Sequence, residues 1–235
     1  MAVITTRENY VMHRIHSITG VMPVGYYMAQ HLALNTFSVA GPDKFNGVIE
    51  FFEGMPKHFL LALEVCMIWL PLLFHAIYGI FIINRAENNY FTTKYKWSQN
   101  KMFFLQRLSG GVVFLFLIYH VLATTVQKYW TGNSEVIKYT AMSERLHNPL
   151  ILSIYVLGIL GASYHLGYGI WNFCIRWGIT VTDAAQQRIQ KISAVIFVGL
   201  TLMGWLALAG FFMHKPTGTV AANQEMSGTK INYTR

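Results

Sequence analysis

Five apolar stretches decide what this chain can fold into: about Ile15 to Val39, His58 to Asn84, Lys101 to Gln127, Pro149 to Arg176 and Ile192 to Met213. Roughly twenty consecutive apolar residues span the hydrocarbon core of a bilayer. In lipid every backbone amide and carbonyl must be satisfied internally, which leaves helices or closed barrels. Unbroken apolar runs specify helices, because barrel strands alternate apolar and polar residues. Bulk composition agrees: 54% of residues are hydrophobic and 12% are charged, against about a quarter charged in soluble domains. The expected fold is an all-α integral membrane protein, a bundle of five transmembrane helices over residues 1–213, followed by a polar C-terminal tail over 214–235. The first stretch begins after Arg7, Glu8, His13 and Arg14 and lacks a small-residue cleavage site. It is also too long for a signal peptide, so it is expected to be a retained span.

Each of the first four stretches carries one interior histidine: His31, His75, His120 and His165, separated by 44, 45 and 45 residues. An ionisable ring inside a membrane span is costly and needs a partner. Helical rise gives each ring a depth. His31 lies 17 residues beyond Arg14, about 25 Å, and His120 lies 19 beyond Lys101, about 28 Å. His75 precedes Arg85 by 10 residues, about 15 Å, and His165 precedes Arg176 by 11, about 16 Å. The four therefore fall into two layers, His31 with His120 and His75 with His165. The layers differ by about 10 to 12 Å along the membrane normal. Paired imidazoles on facing membrane helices point to haem iron, and two stacked haems would need about this geometry. A single buried histidine is as readily a hydrogen-bonded structural residue; matched depth in two pairs is what favours ligation.

Glycines follow the same pattern. His75-Ala-Ile-Tyr78-Gly79 is echoed by His165-Leu-Gly-Tyr168-Gly169, with glycine at i+4 on the histidine's face. A flat macrocycle against a helix needs a residue without a side chain there. Gly20 and Gly110 lie about three turns before His31 and His120. Small-residue helix packing explains any one of these glycines equally well. The remaining histidines, apart from His16, sit at span edges: His13, His58, His147 and His214.

With the N-terminus on the cytoplasmic side, the inner segments hold ten Lys and Arg residues and the outer segments eight. Acids add little to orientation, but they concentrate the net charge of +8 on the inner side. A basic inner face suits anionic lipid, haem propionates or an acidic partner protein, and gives no reason to invoke nucleic acid. The two cysteines, Cys66 and Cys174, are far apart and are expected to be small buried hydrophobes. No Cys-x-x-Cys-His occurs, so a haem would be held without covalent attachment. No phosphate-binding loop and no cysteine cluster for an iron–sulfur centre is present, so flavin or cluster chemistry belongs to other chains. Gly167-Tyr168-Gly169 lies mid-helix, without the pore loop of an ion-channel filter.

Several motifs in one order carry a family resemblance. They are Arg14-Ile-His16-Ser17-Ile-Thr-Gly20-Val-Met-Pro23-Val-Gly25, Gln30-His31, Leu70-Pro71-Leu-Leu-Phe-His75-Ala-Ile-Tyr78-Gly79, Leu105-Gln106-Arg107-Leu-Ser-Gly110 and Trp177-Gly178-Ile-Thr-Val-Thr182. Over about residues 8 to 213 the chain resembles the single-subunit dihaem cytochrome b membrane anchor of succinate dehydrogenase and fumarate reductase, the type that works with menaquinone. The resemblance implies two haem b groups, a distal one on His31 and His120 and a proximal one on His75 and His165. It also implies Arg14, His16, Ser17 and Arg107 near the proximal propionates. Glu53, in Phe51-Phe52-Glu53-Gly-Met-Pro56, matches the family's acid near the outer quinone site, with Glu50 as a neighbouring candidate for proton transfer. FAD and iron–sulfur clusters are implied only on a flavoprotein partner and an iron–sulfur partner, bound at the cytoplasmic face of a bacterial inner membrane. Electrons from succinate would pass outward to menaquinone, or the reverse in fumarate reduction. Some fumarate-reducing relatives carry a transmembrane acid on the helix of the second proximal ligand; here no Asp or Glu lies between Glu144 and Asp183. Two other classes stay open at the level of sequence: a cytochrome b of another complex, such as a hydrogenase or formate dehydrogenase, and a haem-free transporter or anchor.

Overall fold

A computed structural model of the chain describes residues 7–85 and 98–214. The polar tail expected over 214–235, apart from His214, and Lys94 and Lys96 between the second and third apolar stretches lie outside the described residues. No strand occurs among the described residues.

Five long helical segments dominate. The first runs without a break over residues 7–35; the second is Lys57–Arg85, the third Gln99–Thr131, the fourth Pro149–Arg176 and the fifth Asp183–Met213. The last four are long and apolar enough to cross a membrane. The first is comparably long, with a polar end that includes His13, Arg14 and His16. Observed helices extend past the apolar windows. The fifth starts at Asp183 rather than near Ile192, because Thr182 accepts a hydrogen bond from the Ala185 amide and the polar segment Ala184 to Lys191 consists largely of good helix formers. The fourth matches expectation: Asn148 caps it through the amides of Leu150 and Ile151, and Pro149 fills its first position. Its end is a Schellman turn, with Gly178 at φ +69° and Ile179 N–H bonding back to the Cys174 carbonyl at 2.9 Å.

Three π-turns interrupt the first three helices, at Gly20–Gly25, Val65–Trp69 and Leu122–Val126. Two have a proline cause. Pro23 lies inside the first, and Pro71 follows the second; each lacks the N–H that the carbonyl four residues back would accept. In the third, the Thr124 hydroxyl takes the His120 carbonyl at 2.6 Å, a side chain inserted into the ladder.

The fourth helix is the spine, packed along the third on one side and the fifth on the other. The first helix bridges the second, fourth and fifth, whereas the second helix buries none of its apolar window within the chain. One end of the bundle carries Arg14, Arg107 and Arg176 and is called the basic end below. The opposite end is closed by the short helices Pro42–Glu53 and Tyr139–Leu146. They pack Phe45, Tyr139, Met142 and Leu146 onto Tyr155 and Phe211. Three hydroxyls anchor this cap to carbonyls near the end of the fifth helix: Ser38 to Ala207 at 2.7 Å, Tyr139 to Gly210 at 2.7 Å and Ser143 to Phe211 at 2.8 Å. The Gly210 and Phe211 carbonyls lie in the last turn, where intrahelical donors are lacking and an unpaired buried carbonyl is costly; Ser38 adds a donor to the Ala207 carbonyl one turn earlier. Of the two cysteines, Cys174 is buried as expected. Cys66 is exposed, because it lies on the second helix, whose apolar surface the chain leaves uncovered.

A Cβ at Gly210 would stand 2.6 Å from the Val39 amide nitrogen, where the backbone cannot yield cheaply, whereas one at Gly199 meets nothing within 4 Å. Gly210→Ala is therefore expected to destabilise the chain by about 1–3 kcal/mol. Gly199→Ala should leave it unchanged or slightly more stable. Thermal unfolding in detergent, followed by circular dichroism, compares the two.

Candidate functional site

The five helices surround an apolar cavity of about 600 Å³, lined by all four interior histidines. That volume lies within the range of about 300–1,000 Å³ typical of small-molecule sites. The rings meet in the pairs that depth specified. His31 and His120 have ring centroids 5.9 Å apart with planes at 76°; His75 and His165 are 6.0 Å apart at 85°.

These spacings carry chemical information. A histidine nitrogen lies about 2 Å from a metal it binds, and about 1 Å from its own ring centre. Two imidazoles on opposite sides of one metal ion therefore have centroids about 6 Å apart. Directly packed aromatic pairs also occur at this distance, so the surroundings of the ring nitrogens decide. His75 Nδ1–H donates to the His16 carbonyl at 2.9 Å. His165 Nδ1–H donates to the Gln106 carbonyl at 3.1 Å, with the Ser109 hydroxyl 3.4 Å away. His120 Nδ1 lies 3.2 Å from the Tyr155 hydroxyl. A metal-ligating histidine characteristically donates its second ring N–H to a carbonyl, fixing the tautomer and the ring plane. Nε2 is the nitrogen left for a ligand. His31 is steadied differently: its ring stacks near Tyr27 at 5.6 Å, and its carbonyl accepts from Asn35 at 2.7 Å.

Glycines make the room. A Cβ at Gly20 would press into the His75 ring, within 2.6 Å of Nδ1, and one at Gly110 would stand 3.0 Å from His165 Cε1. Gly20 and Gly110 therefore seat the imidazoles of neighbouring helices rather than the histidine later on their own helix. Gly79 and Gly169 line the cavity, and a Cβ at either would approach only His16 or Gln106, at 3.3 and 3.5 Å. Gln106 does more than its place in a motif indicated: its Nε2 donates to the His165 carbonyl at 2.8 Å while its own carbonyl receives the His165 ring.

At the basic end the lining includes His16, Ser17, Arg107 and Arg176. His16 stacks flat on His75, centroids 4.0 Å apart and planes at 9°, and its Nδ1 is buried without a hydrogen bond. Arg14 is not part of the lining; its guanidinium sits over Tyr10 and Trp177 at 4.6 and 4.7 Å. Arg176, which sequence reasoning treated only as the marker of a membrane boundary, lines the cavity instead. At the cap end Glu53 and Glu50 also stand outside the lining. Glu53 pairs with Lys128 at 3.0 Å, and Glu50 reaches Lys138 at 3.8 Å. Lys138 is bonded to Glu135 at 2.7 Å, and this hydrogen bond holds its ammonium above the usual lysine range.

The residues present fit a b-type haem. Each pair supplies two nitrogens, glycines supply flat walls, and cations with an unpaired buried imidazole nitrogen wait at one end. Among the described residues no three His, Cys, Asp or Glu side chains cluster into a metal-ion site.

Fold and site together define a class: a helical membrane protein whose helices present paired imidazoles to one apolar cavity. No protein-family model matches the chain. It is, however, 36% identical over 205 residues to the succinate dehydrogenase cytochrome b558 subunit of Bacillus subtilis (strain 168), an alignment covering 87% of this chain and 98% of that one. The chain belongs to the succinate dehydrogenase cytochrome b membrane-anchor family. This sets aside the hydrogenase and formate dehydrogenase cytochromes left open by the sequence.

Gly110→Val should weaken haem b retention about 10- to 100-fold, the scale seen when the support of a metal-binding histidine is disturbed. Gly199→Val, facing open space, should not. Pyridine haemochrome analysis of the purified complex measures both.

Proposed function

We propose that this chain anchors a flavoprotein subunit and an iron–sulfur subunit to the cytoplasmic face of a bacterial membrane and carries electrons between them and menaquinone. All five long helices would cross the bilayer, with the basic end and the N-terminus cytoplasmic, an orientation that the modest excess of Lys and Arg on that side supports. His75 and His165 would hold a proximal haem b, and His31 and His120 a distal one. The observation that carries this reading is the pair of imidazole pairs about 6 Å apart, three of the four rings with Nδ1 already engaged. A haem held by these imidazoles would supply reversible one-electron transfer.

The chain's own residues set the conditions. The His16 and Gln106 carbonyls hold two rings in a fixed tautomer, which raises the basicity of the opposite nitrogen. Ser17, His16 and Arg107, with Arg176 added by the structure, would pair with propionates at the basic end. Arg14 would act from outside the cavity, by fixing Trp177. Glu53 and Glu50, beside their lysines at the opposite rim, would exchange protons with outside water during quinone chemistry. Electron movement from the basic end to the cap end follows a negative-inside potential, worth about 2.3 kcal/mol per charge per 100 mV. That assists transfer from succinate to a low-potential quinone, and the same residues serve fumarate reduction in reverse.

Replacing His75 or His165 with alanine is expected to remove one haem of two and stop quinone reduction, while His31→Ala or His120→Ala removes the other. Redox titration of each purified complex checks this. Two intact haem transitions in His75→Ala would contradict the ligand assignment.

A further inference from the structure

We propose that Glu64 is the carboxyl group that meets the quinone and exchanges protons with it at the cap end of the cavity. The inference rests on the proposed quinone reaction and names a residue for it. Glu64 is the acid in the interior of the four apolar helices; the other, Asp183, begins the fifth. It lies seven residues inside Lys57, about 10 Å along the helix. An ionisable group at such a place is expensive and marks function by default. It immediately precedes the π-turn Val65–Trp69, a local widening that often accompanies functional sites.

Its surroundings point the same way. Glu64 lines the cavity beside Tyr27, the ring that stacks near His31. Among the described residues no lysine or arginine pairs with it, so it is not half of a structural ion pair. Among the described residues its one hydrogen bond is from the Tyr129 hydroxyl, which donates to Oε2 at 3.0 Å. Oε1 is left for a group in the cavity. Tyr129 is 57% exposed and follows Lys128, the partner of Glu53. Tyr129 therefore joins an exposed surface near the rim to a carboxyl group in an otherwise apolar wall. The ligand that such a wall takes is a flat apolar ring carrying a carbonyl or hydroxyl oxygen, which describes a quinone.

The reaction balances. A quinone gains two electrons, supplied by succinate oxidation in the complex, and its two carbonyl oxygens each gain a proton. Glu64 delivers one proton to the nearer oxygen and is reprotonated from outside water through the Tyr129 hydroxyl; the second proton, also from outside water, goes to the other oxygen.

The test uses the intact complex with a short-chain 1,4-naphthoquinone, turnover being normalised to dye-linked succinate oxidation. Glu64→Gln is expected to lower naphthoquinone reduction about a hundredfold or more, with haem content and both midpoint potentials as in wild type. Glu64→Asp should restore part of the rate, and Tyr129→Phe should slow it less than Glu64→Gln. Turnover of Glu64→Gln within twofold of wild type overturns the inference. So does a loss accompanied by a shifted potential or a missing haem, which would make Glu64 a support for the haem. A wild-type complex without haem would instead defeat the underlying reading, so the two failures are distinguishable.

Discussion

The structure depends on how a polar ring is made tolerable inside an apolar bundle. An imidazole has two nitrogens, and a buried one without a partner costs about 1–3 kcal/mol. Here three of four interior rings give Nδ1 to a fixed oxygen on another helix or on the neighbouring spine. Each such bond ties two helices together at one height. The His16 carbonyl ties the first to the second, Gln106 ties the third to the fourth, and Tyr155 ties the fourth back to the third. What remains is Nε2, repeated in two pairs across one cavity, and the proposed haems are what would satisfy it. On the proposed function, ligand holding and helix docking would be one set of interactions.

The second helix shows the consequence. It buries none of its apolar window within the chain, so its placement rests on few contacts, among them the His75 ring against Gly20 and the His16 carbonyl. The π-turns contribute as well. Each falls within a few residues of a group central to the site: Gly20–Gly25 beside the His75 seat, Val65–Trp69 after Glu64, and Leu122–Val126 after His120. A π-turn changes the phase of a helix, so groups on either side can face the cavity together.

Much of this was legible in the sequence, for physical reasons. Apolar run length gives spans, and a fixed helical rise turns residue counts into depth; the pairing of 31 with 120 and 75 with 165 followed from those alone. Contacts between helices were not legible. Gly20 and Gly110 were read with the histidines later on their own helices, yet they seat rings from the second and fourth, because rotation about a helix axis is settled only by packing. Arg176 was counted as a boundary charge although it lines the cavity, while Arg14, inside a telling motif, lies over Trp177. Glu64 carries no signature in the sequence, because run length and helical rise do not say which way a side chain near the start of a span faces. The polar extension Asp183 to Lys191 was missed because hydropathy detects membrane, whereas the helix continues on propensity and a Thr182 cap.

The most direct test of the central claim is the electron paramagnetic resonance spectrum of the oxidised, intact complex. The imidazole planes within each pair are close to perpendicular, at 76° and 85°. Ferric haem between two such rings is low-spin with a highly anisotropic signal of large maximal g-value. The account predicts two signals of that kind, one lost in His75→Ala and the other in His31→Ala. A high-spin signal, or the ordinary rhombic spectrum of parallel imidazoles, would contradict it.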